Sequence, residues 1–172
     1  IGLSDSNNLC GALEFSEKIS KVGTHPIIGT QINLNIANTF GKISLYATSE
    51  TGYKNLTKLS SKSYLKNDGT TEPSCNLEDL KENSEDLVLL TGNHKNFFGK
   101  LFYKNKLKDF EQILNSLKII FKDRICIEIQ RHNEHQEENF ENFLLNISKS
   151  LSLPLIATQE IFYLNENMYE AH

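Results

Sequence analysis

The sequence predicts an α/β domain with a mostly parallel sheet, and three observations carry that prediction. Short apolar runs of strand length alternate with longer stretches whose apolar residues recur at helical spacing. Gly, Pro, Asn and Asp punctuate the joins between them. A chain of 172 residues suits one domain and can bury roughly 70% of the surface its unfolded form exposes.

The elements follow in order. Ile1-Gly-Leu-Ser reads as a strand already under way, with no initiator Met before it. Asn7 or Asn8 can cap a helix with Leu9, Ala12, Leu13, Ile19 and Val22 inward, and Gly23 can end it. "PIIGTQINL" from Pro26 is a strand. "KISLYA" from Lys42 alternates Ile43, Leu45 and Ala47 on one face, and the short polar link between the two suits a hairpin. From Glu50 the period changes: Tyr53, Leu56 and Leu59 mark a helical face. Residues 66–75 form a polar loop, and Asn76 with Asp79 three residues on has the pattern of a capped short helix.

"DLVLLT" is the next strand, followed by the polar loop "GNHKN". Leu107, Phe110, Ile113, Leu114, Leu117 and Phe121 make one helix face. "RICIEIQ" alternates Ile125, Ile127 and Ile129, which points Glu128 outward. Phe140, Phe143, Leu144, Ile147 and Leu151 make the last full helix, and Pro154 opens a final buried strand, "LPLIATQEIFYL". "ENMYEAH" reads as the first turn of a helix that is cut off, so the chain is expected to be a piece of a longer protein. The alternation favours a βα barrel over a doubly wound sheet, though periodicity is compatible with both.

Composition narrows the function classes. The net charge is −4, without the basic excess that phosphate neutralisation by a nucleic-acid-binding segment normally requires. No apolar run approaches the ~18 residues of a membrane span, and the start does not resemble a signal peptide. The three cysteines, Cys10, Cys75 and Cys126, are widely spaced, which predicts separate thiols in a reducing compartment. The sequons at Asn55 and Asn146 fall in helix-like segments and read as chance.

Ligands of α/β proteins gather at the carboxyl ends of strands. The predicted ends collect Asp5 and Ser6; Gln31; Thr91, Asn93 and His94; Glu128, Gln130 and His132; and Gln159 and Glu160. A metal phosphoesterase needs several His, Asp and Glu converging there. This set is rich in amides, which are poor ligands for transition metals, and Lys42 would repel them. His94 reads as solvent-facing, and His132 and His135 as surface residues rather than a metal pair. "GTQIN" lacks the spacing of a phosphate-cradling loop, and neither G-x-S-x-G nor a Cys/His nucleophile context is present.

Six stretches in order resemble one family. "IGLSDSNNLCGALEF", "HPIIGTQINL", "LYATSETGYKNLTKLSSKSYL", "LVLLTG", "FKDRICIEIQRH" and "LPLIATQEIFYLNENMYEAH" are similar, end to end, to the PHP (polymerase and histidinol phosphatase) domain of bacterial DNA polymerase III α subunits. The resemblance implies a PHP-type distorted, TIM-like βα barrel, incomplete here, with residues 1–172 as one partial PHP domain truncated at both ends. The family's signature His falls on Ser6, beside retained Asp5. Its strand Glu falls on Gln31, a His on Lys42, and a Cys or His on Asn93. Its Asn-Asp-Val-His pattern becomes Gln159-Glu160-Ile161-Phe162. The upstream His-x-His motif would precede Ile1.

Asp5, Ser6, Gln31, Lys42, Asn93, Glu160 and Phe162 are therefore expected to mark a degenerate metal site, with Phe162 buried where an imidazole once bound. The resemblance implies no catalytic residue, metal or cofactor in this segment. It implies a cytoplasmic DNA-directed DNA polymerase as the parent chain, with Mg²⁺ in its polymerase domain. The partners implied are the other domains of the α subunit, the proofreading exonuclease subunit and the replisome, with DNA and dNTPs reached through the parent chain and no membrane. The rival reading is a working metal-dependent phosphoesterase, proofreading or pyrophosphate-cleaving, built on Asp5, Glu160 and upstream histidines. A third is a free-standing PHP relative with no polymerase attached.

Overall fold

Six strands hydrogen-bond in chain order in a computed structural model that describes residues 1–67, 69–163 and 165–171. The strands are β1 (Gly2–Ser6), β2 (Ile27–Ile36), β3 (Thr39–Ala47), β4 (Leu87–Leu90), β5 (Ile125–Ile129) and β6 (Leu155–Ala157). The helices are α1 (Ala12–Lys21), α2 (Glu50–Leu65), α3 (Leu77–Glu82), α4 (Phe97–Tyr103), α5 (Leu107–Phe121) and α6 (Glu137–Leu151), with a 3₁₀ segment at Glu166–Ala171. Pairing is parallel for β1–β2, β4–β5 and β5–β6 and antiparallel on both sides of β3. Among the described strands, β3 alone runs against the others. Sequential order distinguishes this curled, barrel-like sheet from a doubly wound one, whose strand order reverses.

Alternation along the strands separates two faces. Ile32, Leu34, Ile43, Leu45, Leu87, Leu89, Ile125 and Ile127 are buried in one core with Leu56 and Leu59 of α2, Phe97, Phe98 and Leu101 of α4, and the inward stripe of α5. Each fully buried side chain of this size contributes roughly 1.5–3 kcal/mol. The opposite face carries Gln31, Asn33, Lys42, Ser44, Tyr46 and Glu128, so the strands present a polar floor on the side away from the helices. Residues of β1 and of the segment after β6 line one cavity over that floor, so the first strand faces the chain beyond the last strand across it.

Local chemistry explains the joins. The β2–β3 hairpin turns through Ala37 and Asn38, both at positive φ (52° and 55°), the conformation of the tight turns that match strand twist. Ser49 caps α2 by accepting from the Gly52 amide at 3.2 Å. A Cβ on Gly52 would lie 2.2 Å from the Asp86 carbonyl oxygen, and Asn55 donates to the Glu85 carbonyl at 2.9 Å. The "TGYKN" stretch is thus a docking device that seats α2 against the loop before β4. The predicted capping box on α3 forms, with Asn76 and Asp79 exchanging bonds of 3.0 and 3.2 Å.

The structure departs from expectation in three elements. α1 begins at Ala12 behind Gly11, which supplies no side-chain cap. Asn8 instead accepts from the Cys10 amide at 3.0 Å. The face toward the sheet runs through Ala12, Phe15 and Ile19, which leaves Leu13 82% exposed and Val22 in solvent. α4 was hidden in sequence by the polar run before it, yet Phe98, Phe102, Phe110 and Phe143 stack there at 4.9–5.0 Å between ring centres and join α4 to α5 and α6. β6 is a three-residue exposed strand rather than a buried one. It pairs with β5, and among the described residues no strand covers its outer side.

Candidate functional site

The strand ends build a cavity of about 380 Å³. β1 closes with Asp5 and Ser6, and Ser6 lies opposite Gln31 of β2. Gln31 in turn lies opposite Ser44 of β3. Tyr46, Glu128 and Gln130 continue the wall, and Thr158, Gln159, Glu160 and Phe162 close it from beyond β6.

Two hydrogen-bond networks occupy this region. In the first, Lys42 Nζ donates to Ser6 Oγ at 2.8 Å, and Ser6 Oγ donates to Gln31 Oε1 at 3.4 Å. Gln31 Nε2 then donates to the Glu160 carboxylate. Residues distant in sequence are thereby linked in a chain that crosses from β3 to the segment after β6.

The second network centres on Glu128, which is only 3% exposed. Its carboxylate accepts from the Gly92 amide at 2.9 Å, from Gln130 Nε2 at 2.9 Å and from the Thr158 hydroxyl at 2.5 Å. Gln130 Oε1 accepts from Asn93 Nδ2 at 2.8 Å and lies 3.3 Å from His132 Nε2. His132 Nδ1 lies 3.3 Å from Gln159 Nε2. Three donors around one buried carboxylate are the arrangement that makes a desolvated charge tolerable. Burial lifts the Tyr46 phenol above its ordinary pKa, and the nearby Glu128 and Glu160 charges push it the same way. Tyr46 therefore stays protonated at neutral pH.

The positions singled out in sequence converge in large part. Asp5, Ser6, Gln31, Glu160 and Phe162 line the cavity. Lys42 joins them through Ser6, and Asn93 reaches them through Gln130. Three expectations are corrected. Phe162 is 62% exposed at the cavity's edge rather than buried as a plug, because the chain beyond β6 runs along the surface. Glu128 points into the polar floor: the isoleucines it alternates with face the helices, so outward from them means into the cavity. His94 is 7% exposed, because Gly99 lets α4 fold back against the His94 backbone, where a Cβ would meet the His94 carbonyl oxygen at 2.0 Å. His135 is exposed, as expected, but His132 is half-buried, its ring lying near Gln130 and Gln159.

Sequence reasoning missed Tyr46, Ser44 and Thr158 as cavity residues, and Glu134 and Glu137 as neighbours of His94. His94 Nε2 lies 3.1 Å from Glu134 Oε2, and Nδ1 lies 3.8 Å from Glu137 Oε1. The acidic run at the start of α6 was the available signal. Lys95 and then His94 hold the Glu134 carboxyl below its ordinary pKa. Glu137 accepts from the backbone amides of His132 (2.9 Å) and Glu134 (3.2 Å), and so shapes the loop that precedes its own helix.

A strand-end cavity on a curled, sequentially ordered sheet defines an α/β-barrel class of domain. The chain belongs to the PHP domain family, whose model matches residues 1–132. It is similar to the DNA polymerase III subunit alpha of Rickettsia bellii, at 38% identity over all of this chain and 15% of that protein. The corresponding subunit of Vibrio cholerae is 32% identical, again over all of this chain and 15% of its own length. The chain thus spans about 15% of the length of these relatives. Among solved structures, a proposed metal-dependent phosphoesterase from Bifidobacterium adolescentis shares the fold, with a TM-score of 0.52 and 11% identity, covering 91% of this chain and 74% of the other. Among the described residues no helix is long and apolar enough to cross a membrane.

Proposed function

We propose that this chain is the PHP part of a DNA polymerase III α subunit, that its cavity has exchanged metal chemistry for hydrogen bonding, and that its role is structural. The observation that carries the reading is the Lys42–Ser6–Gln31–Glu160 chain. Where the family resemblance puts metal ligands, this chain has an ammonium, a hydroxyl and an amide bonded to one another. Transition-metal ions favour carboxylate, imidazole and thiolate donors with free lone pairs. A Lys beside Ser6 and an amide holding Glu160 add none of these, so the residues do not fit a multinuclear zinc or manganese site.

In this reading residues 1–172 are a partial domain that buttresses the polymerase core and offers a face to the proofreading exonuclease subunit and the replisome. The longer protein would be cytoplasmic and would extend primers from dNTPs with Mg²⁺ in a separate polymerase domain. A second reading, a working metal-dependent phosphoesterase, draws on Asp5, Glu128 and Glu160 facing one cavity.

Asp5→Asn and Glu160→Gln variants separate the two. The structural reading expects bound zinc and manganese to be the same in wild type and both variants, with no hydrolysis of a phosphodiester by any of them. Metal that departs with Asp5→Asn, or metal-dependent hydrolysis abolished by it, would establish the phosphoesterase instead. Primer extension by the longer protein tests the polymerase assignment.

A further inference from the structure

We propose that His94, Glu134 and Glu137 form a divalent-cation site, separate from the strand-end cavity, that ties the loop after β4 to the start of α6. One ring nitrogen of His94 and one carboxylate oxygen from each glutamate lie within 4.8 Å of one another. Bonds of about 2.0–2.2 Å from a central zinc ion would span such a set after small side-chain adjustments. One imidazole with two carboxylates suits a borderline ion such as Zn²⁺, with water completing the shell.

A second observation is independent of this clustering. His94 Nδ1 is buried and has no hydrogen-bond partner. With Nε2–H donating to Glu134, the Nδ1 lone pair faces the Glu137 oxygen at 3.8 Å, acceptor toward acceptor in a place closed to solvent. Such an orphaned group is costly and is normally satisfied by a partner. A small void of about 10 Å³ lies on the Glu137 side of the ring, lined by His94 and Glu137 with Asn93, Gln130 and Phe140 but not by Glu134, so the ion itself would sit toward Glu134, beside this void. Glu137 is held in place by its own backbone bonds, so one ligand is preorganised. Lys95 is the competitor: its ammonium bonds Glu134 at 2.5 Å, and an entering cation displaces it.

Titration of Zn²⁺ into the metal-stripped intact chain tests the site, read by calorimetry and by the visible spectrum of the Co²⁺ form. The expected result is one ion per chain, lost in His94→Gln and weakened on the order of tenfold or more in Glu134→Gln. Binding should persist in His132→Ala/His135→Ala and tighten several-fold in Lys95→Ala. Glu134 is 40% exposed, so its variant reports on binding even where His94→Gln fails to fold. Asp5→Asn and Glu160→Gln should leave this ion in place, which distinguishes it from any metal in the strand-end cavity. Absence of saturable binding, binding indifferent to Glu134→Gln, or loss of binding with His132 and His135 would overturn the proposal. A zinc-independent melting temperature would also do so, leaving hydrogen bonds between the ring and the two glutamates or a bridging water.

Discussion

Replacing Glu128 with Ala tests whether the cavity floor is a structural network. The side chain is 3% exposed and accepts from Gly92, Gln130 and Thr158. Removing it does not orphan all three donors. Gln130 Nε2 keeps its 2.9 Å bond to the Thr158 oxygen, and the Thr158 hydroxyl can turn toward the cavity. The Gly92 amide sits in the loop after β4 and loses its acceptor. A buried unsatisfied donor costs about 1–3 kcal/mol, and loss of the packed γ-methylene adds roughly 0.8 kcal/mol. Relief of burying a carboxylate returns part of this, so we predict a net loss of about 2–3 kcal/mol for Glu128→Ala. Glu128→Gln keeps an acceptor for Gly92 and should cost less, about 1–2 kcal/mol, through the donor it turns on Gln130. Denaturant midpoints at constant m-value measure both. A Glu128→Ala midpoint equal to wild type, or a glutamine variant weaker than the alanine one, would refute the network.

Three further outcomes are expected. Thiol labelling of the native chain should proceed at exposed Cys10 first, then Cys126, then Cys75. Burial raises Cys75 from 9.0 to about 12, so it stays a thiol in the folded state. The unfolded chain releases that proton near its ordinary pKa, and stability falls as pH rises from about 9 toward 12; rapid early labelling of Cys75, or no such fall, contradicts the burial. Gly52→Ala places a methyl 2.2 Å from the Asp86 carbonyl oxygen and should destabilise by roughly 1–3 kcal/mol in a thermal melt, whereas an unchanged melt would mean that α2 shifts freely. Phe162→Ala removes an edge residue that is 62% exposed and should change stability of this chain by about 0.5 kcal/mol or less; a loss of several times that would restore the plug.

Periodicity made the alternating architecture legible because strands and helices bury one face each. The stripe of α5 and the alternation of Ile125 and Ile127 are direct prints of the core. Failures came where side-chain type is a weak guide to direction. Leu13 is apolar but lies off the narrow face that α1 presents, and the sheet offers α1 too little surface to cover it. Phe97 and Phe98 have helical partners at Leu101 and Phe102, but the preceding Asn, His and Lys read as loop. Glu128 was misdirected by a sound rule applied to the wrong reference: charged residues point away from isoleucines, yet on this sheet that direction leads into the strand-end cavity and not to open solvent. The family resemblance singled out positions of which Asp5, Ser6, Gln31, Glu160 and Phe162 line the cavity. It could not show that Ser6, Gln31 and Lys42 bond to one another, since such pairing depends on register between strands and not on spacing along one.

That pairing bears on how such a cavity could change. A multinuclear metal site needs its ligands free at the same time, whereas here Gln31 is committed to Glu160 and Lys42 to Ser6. Introducing one ligand, as in Phe162→His, leaves the Lys42–Ser6–Gln31–Glu160 bonds intact and puts the new imidazole at the exposed edge. Removing Lys42 alone frees Ser6 without supplying a ligand. Replacing Gln31 with Glu would set its carboxylate beside that of Glu160, a repulsion relieved only by a bound cation or a proton shared between them. Each single step toward metal binding is therefore neutral or destabilising until several are made together. In the structural reading proposed above, hydrogen bonding of this kind holds the strands in register and occupies the side chains that a metal would otherwise need as ligands.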